Sequence, residues 1–244
     1  MAFQYRQSPQ NTAEKRPRVG FGVIAGAFVL FGFTLLYLYF ALDSKWAFWI
    51  ILPPCVVLTA ITINFFRIPK REYTGPRFDG REVLASADGR IVVIEEVYEP
   101  ECLKRNCIMV STFMSVTNVH ANWIPIEGEV LGVAHHDGNF LKAYLPKASI
   151  ENEHATVHIR TLTGDEIVVR QVAGALAQRI ITWVKAGEKV SFDTLMGFIL
   201  FGSRVDLFLP LGSEIKVSLD EPVRANQTLM AVLPGEKKGK EEEV

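Results

Sequence analysis

The stretch "GFILFGSRVDLFLP", residues 197–210, holds the break on which the reading of the whole chain turns. Apolar residues run through Phe198, Ile199, Leu200 and Phe201, then resume from Val205 to Pro210 in near alternation, the period of a strand. Between them lies Gly202-Ser203-Arg204. Glycine weakens a strand because it loses the most backbone freedom and brings no side chain to pack. A bulge or turn is the ordinary explanation of such a break.

Outward from this stretch, the surrounding text is mostly strand-like. "REVLASADGRIVVIEEVYE" (81–99) reads as two strands around an Asp-Gly turn at Asp88-Gly89. "NCIMVSTFMSV", "IEGEVLGVAHH", "ATVHIRTLTGDEIVVRQVA" and "EIKVSL" are further short strands, with turns at Glu127-Gly128 and Gly164-Asp165. "GALAQRIITWVK" (174–185) is the one segment with helical spacing, at Leu176, Ile180 and Val184. The pattern predicts a mainly β domain, a β-rich barrel-sandwich with few helices.

The N-terminal part is of another kind. Residues 19–42 carry no charge, and after "DSK" a second uncharged run covers 46–66. Each is long enough to cross a hydrocarbon core of about 30 Å, and two such runs back to back do not fit a signal peptide. Pro53-Pro54 leaves a re-entrant hairpin open, and a buried helical pair is the competing reading. Lys15, Arg16 and Arg18 precede the first run, and Arg67, Lys70 and Arg71 follow the second. Both ends of this hydrophobic helical hairpin are therefore expected on the cytoplasmic side of the cell (inner) membrane. The expected organisation is a disordered N-terminus (1–18), a membrane-anchoring hairpin (19–66), a β-rich main domain (67–233) and a charged tail (234–244).

Composition excludes several partners and chemistries. A net charge of −1 gives no electrostatic reason to expect nucleic acid. Three cysteines are too few and too scattered for a disulfide framework. Cys102 and Cys107 lack the second pair of a zinc pattern and read as ordinary surface thiols, so no metal is expected. P-loop, dinucleotide-binding and zinc-protease motifs are absent, and Gly202-Ser203 lacks the flanks of a nucleophile elbow.

Gly-Ser has one further chemical use. Ser203 Oγ can attack the carbonyl of its own preceding peptide bond where the backbone is held in an unusual conformation, and Gly202 has no Cβ to obstruct the approach. The amide becomes an ester, and β-elimination leaves dehydroalanine. This becomes an imine and hydrolyses to a pyruvoyl group, an electrophile that does the work pyridoxal phosphate does elsewhere.

"WVKAGEKVSFDTLMGFILFGSRVDLFLP" (183–210) resembles the processing segment of the phosphatidylserine decarboxylase family, in its shorter bacterial and archaeal-type members. "FFRIPKRE", "SADGRI", "FMSVTNVHANWIP", "GNFLKAYLPKASIENEHATVHI" and "VRQVAGALAQRIITWV" resemble other segments of that family, in order, over most of Phe65 to Pro210. The resemblance implies cleavage between Gly202 and Ser203, giving β and α fragments of one precursor, with Ser203 converted to a covalent pyruvoyl cofactor. It implies that Asp88 orients the base of self-processing and that His120 transfers protons. Longer members carry a second histidine three residues on, where this chain has Trp123, so His135 and His136 stay open as the base.

The implied reaction is decarboxylation of membrane phosphatidylserine to phosphatidylethanolamine through a Schiff base with the pyruvoyl group. A homo-oligomer is left open. Arg204 and Arg170 are offered as phosphate or carboxylate partners, Asn152 and Glu153 as hydrogen-bonding support, and His154 and His158 as surface residues. The alternative is a membrane-anchored barrel-sandwich adaptor or carrier module without catalysis, in which Gly202-Ser203 is a bulge. A pyruvoyl enzyme acting on a soluble amino acid is disfavoured by the anchor.

Overall fold

The computed structural model describes residues 18–41, 45–138, 152–174, 180–199 and 203–235. The two uncharged runs are helices, α1 (Arg18–Ala41) and α2 (Lys45–Phe66), packed against each other. A helix satisfies its backbone internally, which suits a segment apolar on every side. Pro53 and Pro54 lie inside α2, which continues past them. At 1.5 Å per residue the 24 and 22 residues of α1 and α2 extend about 36 and 33 Å. Among the described residues, no helix is long and apolar enough to cross a membrane. Leu30, Phe33, Tyr37, Phe40, Trp49 and Ile50 are exposed on the two helices.

Beyond α2 the regular structure among the described residues is all strand. In order come β1 (Glu82–Leu84), β2 (Gly89–Glu99), β3 (Arg105–Met114), β4 (Ala121–Trp123), β5 (Gly128–His136), β6 (His154–Thr161) and β7 (Glu166–Val172). They are followed by β8 (Ile180–Thr182), β9 (Lys189–Val190), β10 (Leu195–Ile199), β11 (Ser203–Pro210), β12 (Glu214–Ile215), β13 (Pro222–Val223) and β14 (Leu229–Val232). An eight-stranded sheet has the order β13-β2-β3-β11-β7-β6-β5-β9 and curls into a half-barrel. Two three-stranded sheets, β1-β14-β12 and β4-β10-β8, complete the domain. The architecture is mainly β with few helices, as the patterning predicts.

The break in residues 197–210 is a change of sheet. β10 lies in the small sheet between β4 and β8, while β11 lies in the large one between β3 and β7. Residues 200–202, Gly202 among them, fall outside the described residues. β11 is buried along its whole length, so its alternation reflects two covered faces rather than one wet and one dry. Val205, Leu207 and Leu209 enter the main core with Ile91, Val110 and Val157. Arg204 and Asp206 point to the other face and pair with each other at 2.8 Å, both fully buried.

Three expectations need correction. The helix expected over 174–185 is not there: Ile180–Thr182 forms β8, paired with β10, and residues 175–179 lie outside the described set. A spacing of four residues keeps side chains on one face of a helix and of a strand alike, and the β-branched pair Ile180-Ile181 favours the strand. Asp88-Gly89 does not join a hairpin, because β1 pairs with β14 while β2 pairs with β3 and β13. Gly89 is needed for close approach: a Cβ there would sit 2.1 Å from the Phe113 carbonyl oxygen. The two thiols are not surface groups, since Cys107 is buried and Cys102 half-buried. Burial and the neighbouring Glu99 push them up, to about 12 for Cys102 and about 11 for Cys107. The Gly164-Asp165 turn does form between β6 and β7, with Gly164 at φ +86°.

A second apolar cluster brings Phe65, at the end of α2, against Val119, Ala121, Trp123, Trp183 and Phe198. The last turn of α2 is thereby part of the β domain. Asn64 Nδ2 donates to the Thr117 carbonyl at 2.6 Å and fixes the same junction.

Candidate active site

Ser203 is the first residue of β11 and lies opposite Met114, the last residue of β3. It is fully buried, and its Oγ donates to Met114 Sδ at 3.2 Å. A thioether is a weak acceptor, so this contact directs the hydroxyl while drawing little on its nucleophilicity. The same sulfur takes an N–H of Asn122 at 3.6 Å. Asn122 Oδ1 accepts from Gln171 Nε2 at 2.8 Å, and Gln171 Oε1 accepts from Thr182 Oγ1 at 2.8 Å. Strands β3, β4, β7 and β8 thus each give one side chain to a buried polar chain that ends at Ser203.

His120 immediately precedes β4. Its carbonyl accepts the N–H of Ile199, the last residue of β10, at 3.4 Å, so the histidine segment lies beside the end of the strand that precedes Ser203 in the chain. The imidazole is fully buried and stacked on Phe65, with ring centroids 3.9 Å apart. Nδ1 lies 3.0 Å from the Asn118 carbonyl oxygen. A carbonyl only accepts, so Nδ1 carries the proton and Nε2 presents its lone pair. That Nε2 is buried with no hydrogen-bond partner among the described residues. Burial pushes His120 down to about 4, against the opposing pull of the Asn118 bond and of the Asp88 charge. The ring is therefore a neutral base at physiological pH.

Asp88 sits in the bend before β2, near enough to act on His120 through its charge. Its hydrogen bonds go elsewhere: Arg71 Nη2 donates to Oδ2 at 2.7 Å, Arg71 Nη1 pairs with Oδ1, and the Ala225 N–H donates to Oδ1 at 3.0 Å. Trp123, which stands where longer family members carry histidine, lies under the Arg71 guanidinium with 5.4 Å between Cζ and the ring centroid. It supports the arginine that holds the aspartate.

The remaining residues singled out in the sequence lie apart from this centre. His135 pairs with Ala155, Ala155 with Gln171, and Gln171 with Val205. Three strand spacings, roughly 14 Å along the sheet, separate it from β11. His154 and His158 are buried rather than superficial: His154 meets Glu101 at 3.2 Å and His158 meets Glu166 at 3.0 Å. Arg170 is matched by Glu99 at 2.8 Å and Glu101 at 3.0 Å, and Arg204 by Asp206, so both offered anion partners are engaged by protein carboxylates. Asn152 donates to the Ala173 carbonyl at 2.6 Å, and Glu153 pairs with His135 at 3.2 Å.

Sequence reading missed Arg71, Met114, Asn122, Gln171 and Thr182. Arg71 was legible only as a basic flank of α2. The other four have no local signal, because strand pairing between distant segments is what brings them together.

The family model described as phosphatidylserine decarboxylase matches residues 58–231. A Porphyromonas gingivalis protein named phosphatidylserine decarboxylase proenzyme is 48% identical over 213 residues, covering 87% of this chain and 96% of its own length. Proteins of the same name from Bacteroides thetaiotaomicron and Nitrosomonas europaea are 45% and 42% identical, each over 216 residues and 88% of this chain, with 94% and 93% of their own lengths covered. A catalytic function thus displaces the adaptor reading, and the chain belongs to the phosphatidylserine decarboxylase family and is a decarboxylase.

Proposed function

We propose that this protein is a self-processing precursor that decarboxylates phosphatidylserine to phosphatidylethanolamine at a membrane surface. The observation that carries the proposal is the buried, neutral His120 with an unpartnered Nε2, next to the segment that presents Ser203. A basic nitrogen hidden from water without a partner is costly unless it has a proton to accept.

In the processing step Ser203 Oγ attacks the Gly202 carbonyl carbon, and its proton passes to His120 Nε2. The Gly202–Ser203 C–N bond breaks as the new C–O bond forms, and the nitrogen leaves as an amine. Loss of the Ser203 α-proton expels Gly202 as a carboxylate and leaves dehydroalanine at the head of β11. Its tautomer takes up one water and releases ammonia. The residues present fit the resulting pyruvoyl group: position 203 is dry, and Asn122 aims an N–H into the same space. A pyruvoyl group supplies an electrophilic carbonyl for the serine amine and a sink for the electrons left when carbon dioxide departs. His120 returns a proton to the reacting carbon, and Asp88, held by Arg71, stabilises the charged imidazole during each transfer.

Membrane attachment is supported by the two uncharged runs and by the exposed apolar side chains of α1 and α2. Basic residues at both flanks favour a cytoplasmic catalytic domain.

The test is the intact mass of the purified protein. Two chains, ending at Gly202 and beginning at a blocked residue 203, are expected, and Ser203→Ala should stay as one inactive chain. An uncut chain in a preparation that turns over phosphatidylserine would overturn the proposal.

A further inference from the structure

Ser203 and Arg204 are neighbours on one strand, so their side chains leave opposite faces of the sheet. Register carries the face of Arg204 across to Val172, His154 and His136. This second face is covered by the turn between β2 and β3, which brings Glu101 over it. Glu101, His136 and His154 each present a ligand atom, and these atoms lie within 4.8 Å of one another.

His154 Nδ1 is 2.7 Å from the Asn152 carbonyl oxygen, which can only accept, so Nδ1 carries a proton. In the neutral ring, Nε2 then points a lone pair at Glu101 Oε1, 3.2 Å away. His136 Nε2 is 3.6 Å from Glu101 Oε2 and is buried without a hydrogen-bond partner among the described residues. In the neutral ring His154 Nε2 and the Glu101 carboxylate face each other as acceptors, with His136 Nε2 buried beside them. Such a set calls for a cation between its members.

The spacing fits a metal. Bonds of about 2.0–2.1 Å in a tetrahedron place ligand atoms about 3.3 Å apart, beside 3.2 Å from His154 Nε2 to Glu101 Oε1 and 3.6 Å from His136 Nε2 to Glu101 Oε2. An outer hydrogen bond from the ligating imidazole to a backbone carbonyl, as His154 makes, is the usual support of such a ligand. Glu101 is held in turn by Thr156 Oγ1 at 3.1 Å and Arg170 at 3.0 Å. Glu99 and Glu101 together outweigh the single charge of Arg170, so a dication is not repelled.

We propose that Glu101, His136 and His154 form a divalent-cation site of the zinc type, with water in the fourth position, that clamps the β2–β3 turn onto β5 and β6. The site lies on the sheet face opposite Ser203 and is independent of processing.

The full chain, purified in detergent, would be stripped with a chelator and titrated with zinc chloride by calorimetry, with thermal melting in parallel. One zinc per chain is expected, with a melting temperature that rises on loading. Glu101→Gln and His136→Ala should each weaken binding about tenfold or more. His136 is only partly buried, so its variant reports even if a change at the more deeply buried His154 prevents folding. The uncut Ser203→Ala chain should bind as the parent does, which separates this test from that of the processing step. No stoichiometric uptake, or uptake unchanged in both variants, would overturn the proposal.

Discussion

His120 shows how one side chain acquires its chemistry from neighbours the sequence does not place beside it. Its tautomer is set by Asn118, its neutrality by burial, and its ring plane by Phe65. His120→Ala is expected to cut slowly and incompletely, and the cut fraction to turn over about 10²–10⁴-fold more slowly. Gel analysis of precursor against time and a turnover assay on the separated cut form check the two jobs. A lowered pKa means that the base form persists well into acid. The cutting rate should therefore stay level from neutral pH to about 5 and fall only as His120 is protonated near about 4, rather than near the 6.5 of an ordinary histidine. Ser203 was offered by the Gly-Ser break together with a family resemblance, and His120 by that resemblance alone. Arg71, which holds Asp88, was not, since a guanidinium next to an apolar run has a sufficient explanation in topology.

At the level of elements, period-2 patterning located most strands but not their partners. Asp88-Gly89 has the composition of a hairpin turn, yet the flanking strands go to different sheets. What glycine serves there is the passage of β2 past the Phe113 carbonyl. Gly89→Ala should therefore destabilise the domain by more than about 2 kcal/mol, well beyond a propensity change, as measured by denaturant midpoint at constant slope. A midpoint shift of a few tenths of a kcal/mol would count against the close approach. The segment 174–185 misled for a related reason. Its apolar residues recur every four positions, and only pairing with β10 distinguishes strand from helix.

For the whole molecule, the division between the α1–α2 hairpin and the β domain passes through a contact rather than a linker. Phe65 belongs to α2 by backbone and to the His120 pocket by side chain. A chain starting at residue 60 should process normally, while one starting at residue 67 should accumulate precursor; comparable cutting in both would show that Phe65 is dispensable. The sequence could give the two apolar runs but not this overlap, because an aromatic at a helix end reads equally as lipid-facing. The placement of β11 has a larger consequence. The proposed cut leaves residues 203–244 as a separate chain, yet β11 is paired on both edges, by β3 and β7, and β14 is paired with β1. The small fragment cannot leave without dismantling the sheet. The precursor folds as one molecule, whereas the mature protein, once denatured, must find its other half by collision. Its refolding yield should rise with protein concentration and that of Ser203→Ala should not, which makes maturation a one-way loss of the ability to refold alone.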